Sequence, residues 1–118
     1  MSPEAVVAAV EGDLGMICYQ PDPSRSISCD EEADPGRSRA YGDVWISVID
    51  QDDGSYKVSN LSVAASEIDR GMVEDFVGRF GFSPEDLDSV INRGERITRG
   101  EFTMNKFKSQ SILIGEAL

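Results

Sequence analysis

The sequence predicts an α+β fold: a small, mostly antiparallel sheet built around a central β-hairpin, with two to three helices packed on one face. Three observations carry that reading. Residues 44–49 form a dense run of β-branched and aromatic side chains, followed by the turn chemistry of Gln51, Asp52, Asp53 and Gly54. Residues 66–94 place apolar side chains at helical spacing, with a break at Gly81. The elements do not alternate strand and helix as a parallel sheet requires. A length of 118 residues fits one domain, 1–118, with its own core.

Each element has a local reason. Ser2 can cap a first helix, Pro3 suits its first position, and Val6, Val7 and Val10 share a face that Gly12 ends. Residues 14–20 suit a strand. Residues 21–40, with Pro21, Pro23, Pro35 and Gly36 among charges, read as a mobile surface loop, with 25–29 as a candidate edge strand inside it.

The strand at 44–49 turns at Gly54 and returns over 55–63. In that return Tyr56 and Val58 take one face and Lys57 and Leu61 the other. Ile68, Met72, Val73, Phe76, Val77 and Phe80 make one apolar stripe of a second helix, started by Ser66 or Asp69. Ser83, Pro84 and Asp86 carry a capping-box start, Phe82 can staple onto Leu87, and Gly94 ends the third helix. Residues 102–107 and 111–114 read as strands. Trp45 reads as core, or as sheet face beneath a helix; on an open sheet face it would be an interface anchor.

Charge is the strongest functional signal. Twenty-two Asp and Glu face eleven Lys and Arg, with no His, for a net charge of −11. The acid is uneven. Residues 1–82 hold sixteen acids and six bases, whereas 93–108 hold five bases and two acids. Two clusters stand out: Asp30, Glu31, Glu32 and Asp34, and then Asp50, Asp52 and Asp53. These seven are the expected partner-binding residues.

The inventory for chemistry is thin. Without His there is no Ser–His or Cys–His nucleophile pair and no His ligand for zinc. Residues 50–54 fail a calcium loop, because the fifth position is Gly54 and the twelfth is Leu61. No cofactor, no metal and no enzymatic activity are expected. The apolar run at 5–10 is too short to cross a bilayer and has no basic leader, so the expected compartment is the cytoplasm. Cys18 and Cys29 then read as two reduced thiols.

An acidic surface meets a basic one, and basic surfaces exist chiefly to hold nucleic acid. The expected function is therefore an acidic protein-binding inhibitor. It would occupy the basic, nucleic-acid-binding surface of a partner protein by charge mimicry, contacting neither nucleic acid nor membrane itself. In size and charge the chain resembles phage-encoded inhibitors of nucleases and of CRISPR complexes, and toxin-neutralising proteins. That resemblance is one of composition and implies only the class of partner. The alternatives are a small carboxylate enzyme or ligand-binding domain, and an acidic accessory subunit that dimerises through a hydrophobic face.

Overall fold

The computed structural model describes residues 2–19, 26–30, 43–108 and 111–117. Within them lie three α-helices and seven strands: α1 Pro3–Leu14, β1 Ile17–Tyr19, β2 Ile27–Asp30, β3 Val44–Asp50, β4 Tyr56–Ala64, α2 Arg70–Gly78, α3 Pro84–Arg93, β5 Ile97–Arg99, β6 Phe102–Phe107 and β7 Ser111–Glu116. The strands form one antiparallel sheet in the order β1-β2-β3-β4-β7-β6-β5. The fold is α+β.

The helix starts follow local rules. The Ser2 hydroxyl accepts the Ala5 N–H at 3.0 Å, and Asp69 accepts the Met72 N–H at 3.2 Å. At α3 the Ser83 hydroxyl accepts the Asp86 N–H while the Asp86 carboxylate accepts the Ser83 N–H, closing the capping box. α3 ends on Gly94 in the left-handed region, φ 67°. α1 runs through Gly12 and ends instead at Gly15, φ 62°, because only there does the backbone turn left-handed. That extension takes Leu14 out of the expected first strand, which shrinks to Ile17–Tyr19.

One core cluster joins the helices to the sheet. Val6, Val10 and Leu14 of α1, Val73, Phe76 and Val77 of α2, and Leu87, Val90 and Ile91 of α3 are buried with Ile27, Cys29, Val44, Ile46, Leu61, Val63, Met104, Ile112 and Ile114 of the strands. Met72, expected in the apolar stripe, is 43% exposed. A helix of nine residues packed against α1 and α3 buries only the positions that face them.

Strand register sorts the sheet. Ile27 lies opposite Ile46, Ile46 opposite Leu61, Leu61 opposite Ile114 and Ile114 opposite Met104, so these core residues share a face. A bulge interrupts β3–β4: Ser47 faces Asn60 but Val48 faces Val58, leaving Ser59 as the extra residue. The bulge corrects the simple alternation read from the sequence. It re-phases β4 so that Val58, Leu61 and Val63 are all buried, and Val58 and Leu61 are not on opposite faces.

Two further readings are corrected. Residues 27–30, inside the expected loop 21–40, form β2, which is buried along its whole length and is the second strand of the sheet, not its edge. Pairing on both sides supplies the stability that its mixed composition does not advertise. The rest of that loop lies outside the described residues. Cys18 and Cys29 are bridged, and they are not the free thiols expected. They face each other across β1 and β2 with Cα atoms 4.1 Å apart, close enough for a bond once the strands pair. No helix among the described residues is long and apolar enough to cross a membrane.

Candidate binding surface

The seven expected acids do not share one environment. Asp30 is 4% exposed, and its carboxylate accepts the backbone N–H of Asp43 at 3.2 Å. The end of β2 is therefore tied to the start of β3 by a side chain turned into its own chain. Glu31, Glu32 and Asp34 lie outside the described residues. Asp50, the last residue of β3, and Asp52 and Asp53 on the connection to β4 are exposed.

That connection is ordered by its own bonds. Gln51 N–H donates to Ser55 O at 2.8 Å, Gly54 N–H donates to Gln51 O at 3.0 Å, and Gly54 adopts φ 85°. The Asp53 carboxylate accepts the Ser55 N–H at 2.9 Å and the Ser55 hydroxyl. These bonds, the hydroxyl foremost, hold its carboxyl below the usual carboxylate range. Asp53 stays ionised and fixed in direction, while Asp50 and Asp52 extend the negative tip.

Asp30 and Asp50 stand at opposite ends of β3. Cys29 pairs with Val44 at the start of that strand, and Asp50 ends it, which separates the two acids by roughly 20 Å at 3.3 Å per strand residue.

Many of the described bases are spent inside the fold. Arg79 forms a two-point pair with Asp13, joining α2 to α1. Arg70 meets Glu74 and Asp88, joining α2 to α3. Arg99 meets Asp86, and Lys57 lies 3.4 Å from Glu116. Internal pairing of cations leaves the acid excess directed to solvent.

One cleft, of about 380 Å³, is lined by Glu101, Phe102, Glu116 and Ala117. It holds two carboxylates, but Glu116 is in the ion pair with Lys57. Among the described residues no three His, Cys, Asp or Glu side chains converge as a metal site.

Register reveals a surface that sequence reading missed. On the face opposite the Ile46 and Leu61 side chains, Ser28, Trp45, Ser62, Leu113 and Asn105 line up across five strands. Beside them run Ser47, Asn60, Gly115, Thr103 and Thr98. Neither row contains a charge. Trp45 is half-buried here and is not part of the core cluster. The Ser28 hydroxyl is buried without a hydrogen-bond partner. Ile17, Ile49 and Phe107 fall on the same face by strand alternation and are 46%, 43% and 41% exposed.

No family model, curated protein or solved structure matches the chain. Its function therefore rests on the residues themselves. The uncharged rows escaped sequence reading because each is assembled from single residues of five strands, drawn from β2, β3, β4, β7, β6 and β5. Only the alternation within each strand pointed to them.

Proposed function

We propose that this protein is an acidic inhibitor that occupies a basic, nucleic-acid-binding surface of a partner protein. The observation that carries the reading is the −11 charge, with Lys57, Arg70, Arg79 and Arg99 among the described bases held in internal ion pairs. The negative tip at Asp50, Asp52 and Asp53 steers a cationic partner, and its ordered turn presents carboxylates with little conformational entropy left to lose. Glu31, Glu32 and Asp34 belong to the same reading as further contacts. The central β3–β4 hairpin carries the tip, and the three helices act as one layer behind the sheet. The mechanism is competition: carboxylates pair with the Lys and Arg that otherwise hold phosphates, as in inhibitors of nucleases or CRISPR complexes.

The alternative, a carboxylate enzyme or ligand-binding site, needs two converging acids with one carboxyl pushed up. Asp53 and Asp86 are shifted the other way, by hydrogen bonds from Ser55 and Ser83 in the first place, which favours the binding role.

The expected compartment is the cytoplasm. Reducing cytosol opens most disulfides, so action there requires the fold to survive without the Cys18–Cys29 bridge.

The test is binding to purified basic nucleic-acid-binding proteins across a salt series, with displacement of bound nucleic acid as a second readout. Binding that weakens steeply with salt and excludes nucleic acid supports competition. Salt-insensitive binding, or none at low salt, sinks it.

A further inference from the structure

We infer that the Cys18–Cys29 bridge is a redox latch. Closed, it holds β1 on the edge of the sheet; opened by a reducing dithiol, it releases β1 and bares the outer backbone edge of β2. The device is independent of the proposed binding role.

β1 is held weakly apart from the bridge. It stands first in the sheet order, so it pairs on one side only, with β2. It has three residues, and so short an edge strand gains few backbone bonds against the entropy of ordering it. Ile17 is 46% exposed and gains little from burial there. Among the described side chains of β1, Cys18 alone packs against the core cluster, and it is bonded to Cys29, which is fully buried. Just before the strand, Met16 is 3% exposed and Gly15 closes α1. α1 and Met16 therefore stay anchored, and the part free to leave starts at Ile17.

β2 is held differently. It pairs with β3 on its other side and is buried along its whole length, so it keeps its place when β1 leaves. Its backbone groups that faced β1 then stand open, as on any unpaired edge. The opening step takes a reductant of the dithiol class. One thiolate of the dithiol attacks the sulfur of Cys18, which is partly buried where Cys29 is fully buried. The S–S bond between Cys18 and Cys29 breaks, and Cys29 leaves as a thiolate and takes a proton. The second thiol of the reductant then displaces Cys18 from the mixed disulfide. Two electrons and the two thiol protons pass to the protein, and the dithiol becomes a disulfide. A disulfide oxidant reverses the sequence. Cys18 and Cys29 are opposite each other in the strand register, so renewed pairing brings the two thiols back together.

The test is hydrogen exchange read by mass spectrometry on the full chain, before reduction with dithiothreitol, after it, and again after reoxidation with oxidised glutathione. Protection over residues 17–19 should fall about a hundredfold on reduction, the size of a loop-closure constraint of this length, while β3, β4 and β7 keep theirs. Reoxidation should restore it. The double variant Cys18→Ala/Cys29→Ala should show the same local loss with no reductant present. Unchanged exchange at 17–19, with the bridge proven open by thiol titration or absent in the double variant, overturns the latch, because strand pairing then holds β1 by itself. Exchange that rises evenly through β3, β4 and β7, or a lost near-UV circular dichroism signal on reduction, overturns it too, because the bridge is then a staple of the whole fold. A bridge that dithiothreitol opens only in denaturant, or that does not re-form on reoxidation, also overturns it.

Discussion

The Asp86 carboxylate grips the Arg99 guanidinium at two points, Arg99 Nη2 to Asp86 Oδ1 at 2.8 Å and Arg99 Nε to Asp86 Oδ2 at 3.1 Å. The same carboxylate accepts the Ser83 N–H at 3.0 Å. One side chain thus starts α3 and fastens it to β5. Its side chain is 9% exposed, so these partners are replaced poorly by water. Asp86→Ala should cost about 1–3 kcal/mol, the range for losing a cap together with a charge-assisted bond. Chemical denaturation read by circular dichroism checks it.

The Asp86 pair also sets a pH dependence. The Ser83 N–H first, and then Arg99, hold the Asp86 carboxyl below the usual range against the opposing effect of burial. A depressed folded pKa gives stability that is present above the unfolded value of about 4 and is lost as pH falls through the folded one. Melting temperature followed from pH 7 to pH 2 should fall less steeply below about pH 4 in Asp86→Asn than in the wild type.

The Cys18–Cys29 bridge closes a short loop, with a sequence separation of 11. Loop-closure entropy assigns such a bridge about 3 kcal/mol. Paired melts with and without dithiothreitol should show a drop of several degrees in the wild type and none in the double variant Cys18→Ala/Cys29→Ala. Equal melting temperatures with and without reductant, after thiol titration proves the bridge open, would show that strand pairing alone holds β1.

Phe76 and Met72 lie one turn apart on α2 with opposite surroundings. Phe76 is fully buried and meets Phe80 edge-to-face, with ring centroids 5.3 Å apart, whereas Met72 is 43% exposed. Phe76→Ala should destabilise by about 3–5 kcal/mol through cavity formation. Met72→Ala should stay within about 0.5 kcal/mol. Urea midpoints for the two variants are the measurement.

Two glycines should respond with opposite sign. Gly94 ends α3 at φ 67°, so Gly94→Ala should cost about 1–2 kcal/mol. Gly12 lies inside α1 with no atom within 4 Å of an added Cβ, so Gly12→Ala should stabilise by about 0.5–1 kcal/mol. Thermal melts compare both with the wild type.

Legibility in the sequence followed the range of the forces involved. Ser83, Pro84 and Asp86 announced α3 because a capping box is complete within four residues. β3 and β4 were readable from β-branched residues on either side of a glycine turn. β5 was missed, because Ile97–Arg99 is too short for any periodicity and exists through its pairing with β6. β2 reads from sequence only as a candidate edge strand at 25–29 inside a loop, for a similar reason: only Ile27 and Cys29 are apolar, and its burial comes from neighbours on both sides. At the binding surface, the acids of the 50–53 tip were visible as composition. Asp30 is buried and meets the Asp43 N–H thirteen residues along the chain, which no local pattern encodes.

β7 sits between β4 and β6, in the interior of the sheet, although it is formed by residues 111–116. On the ribosome β7 therefore follows both of its neighbours. Until β7 emerges, β4 keeps an open backbone edge, and Leu61 and Val63 lack the Ile114 and Ile112 that face them. A nascent chain stalled before that point exposes a nine-residue strand to pairing with other chains. Loss of residues 111–116 would therefore open two backbone edges at once, that of β4 and that of β6.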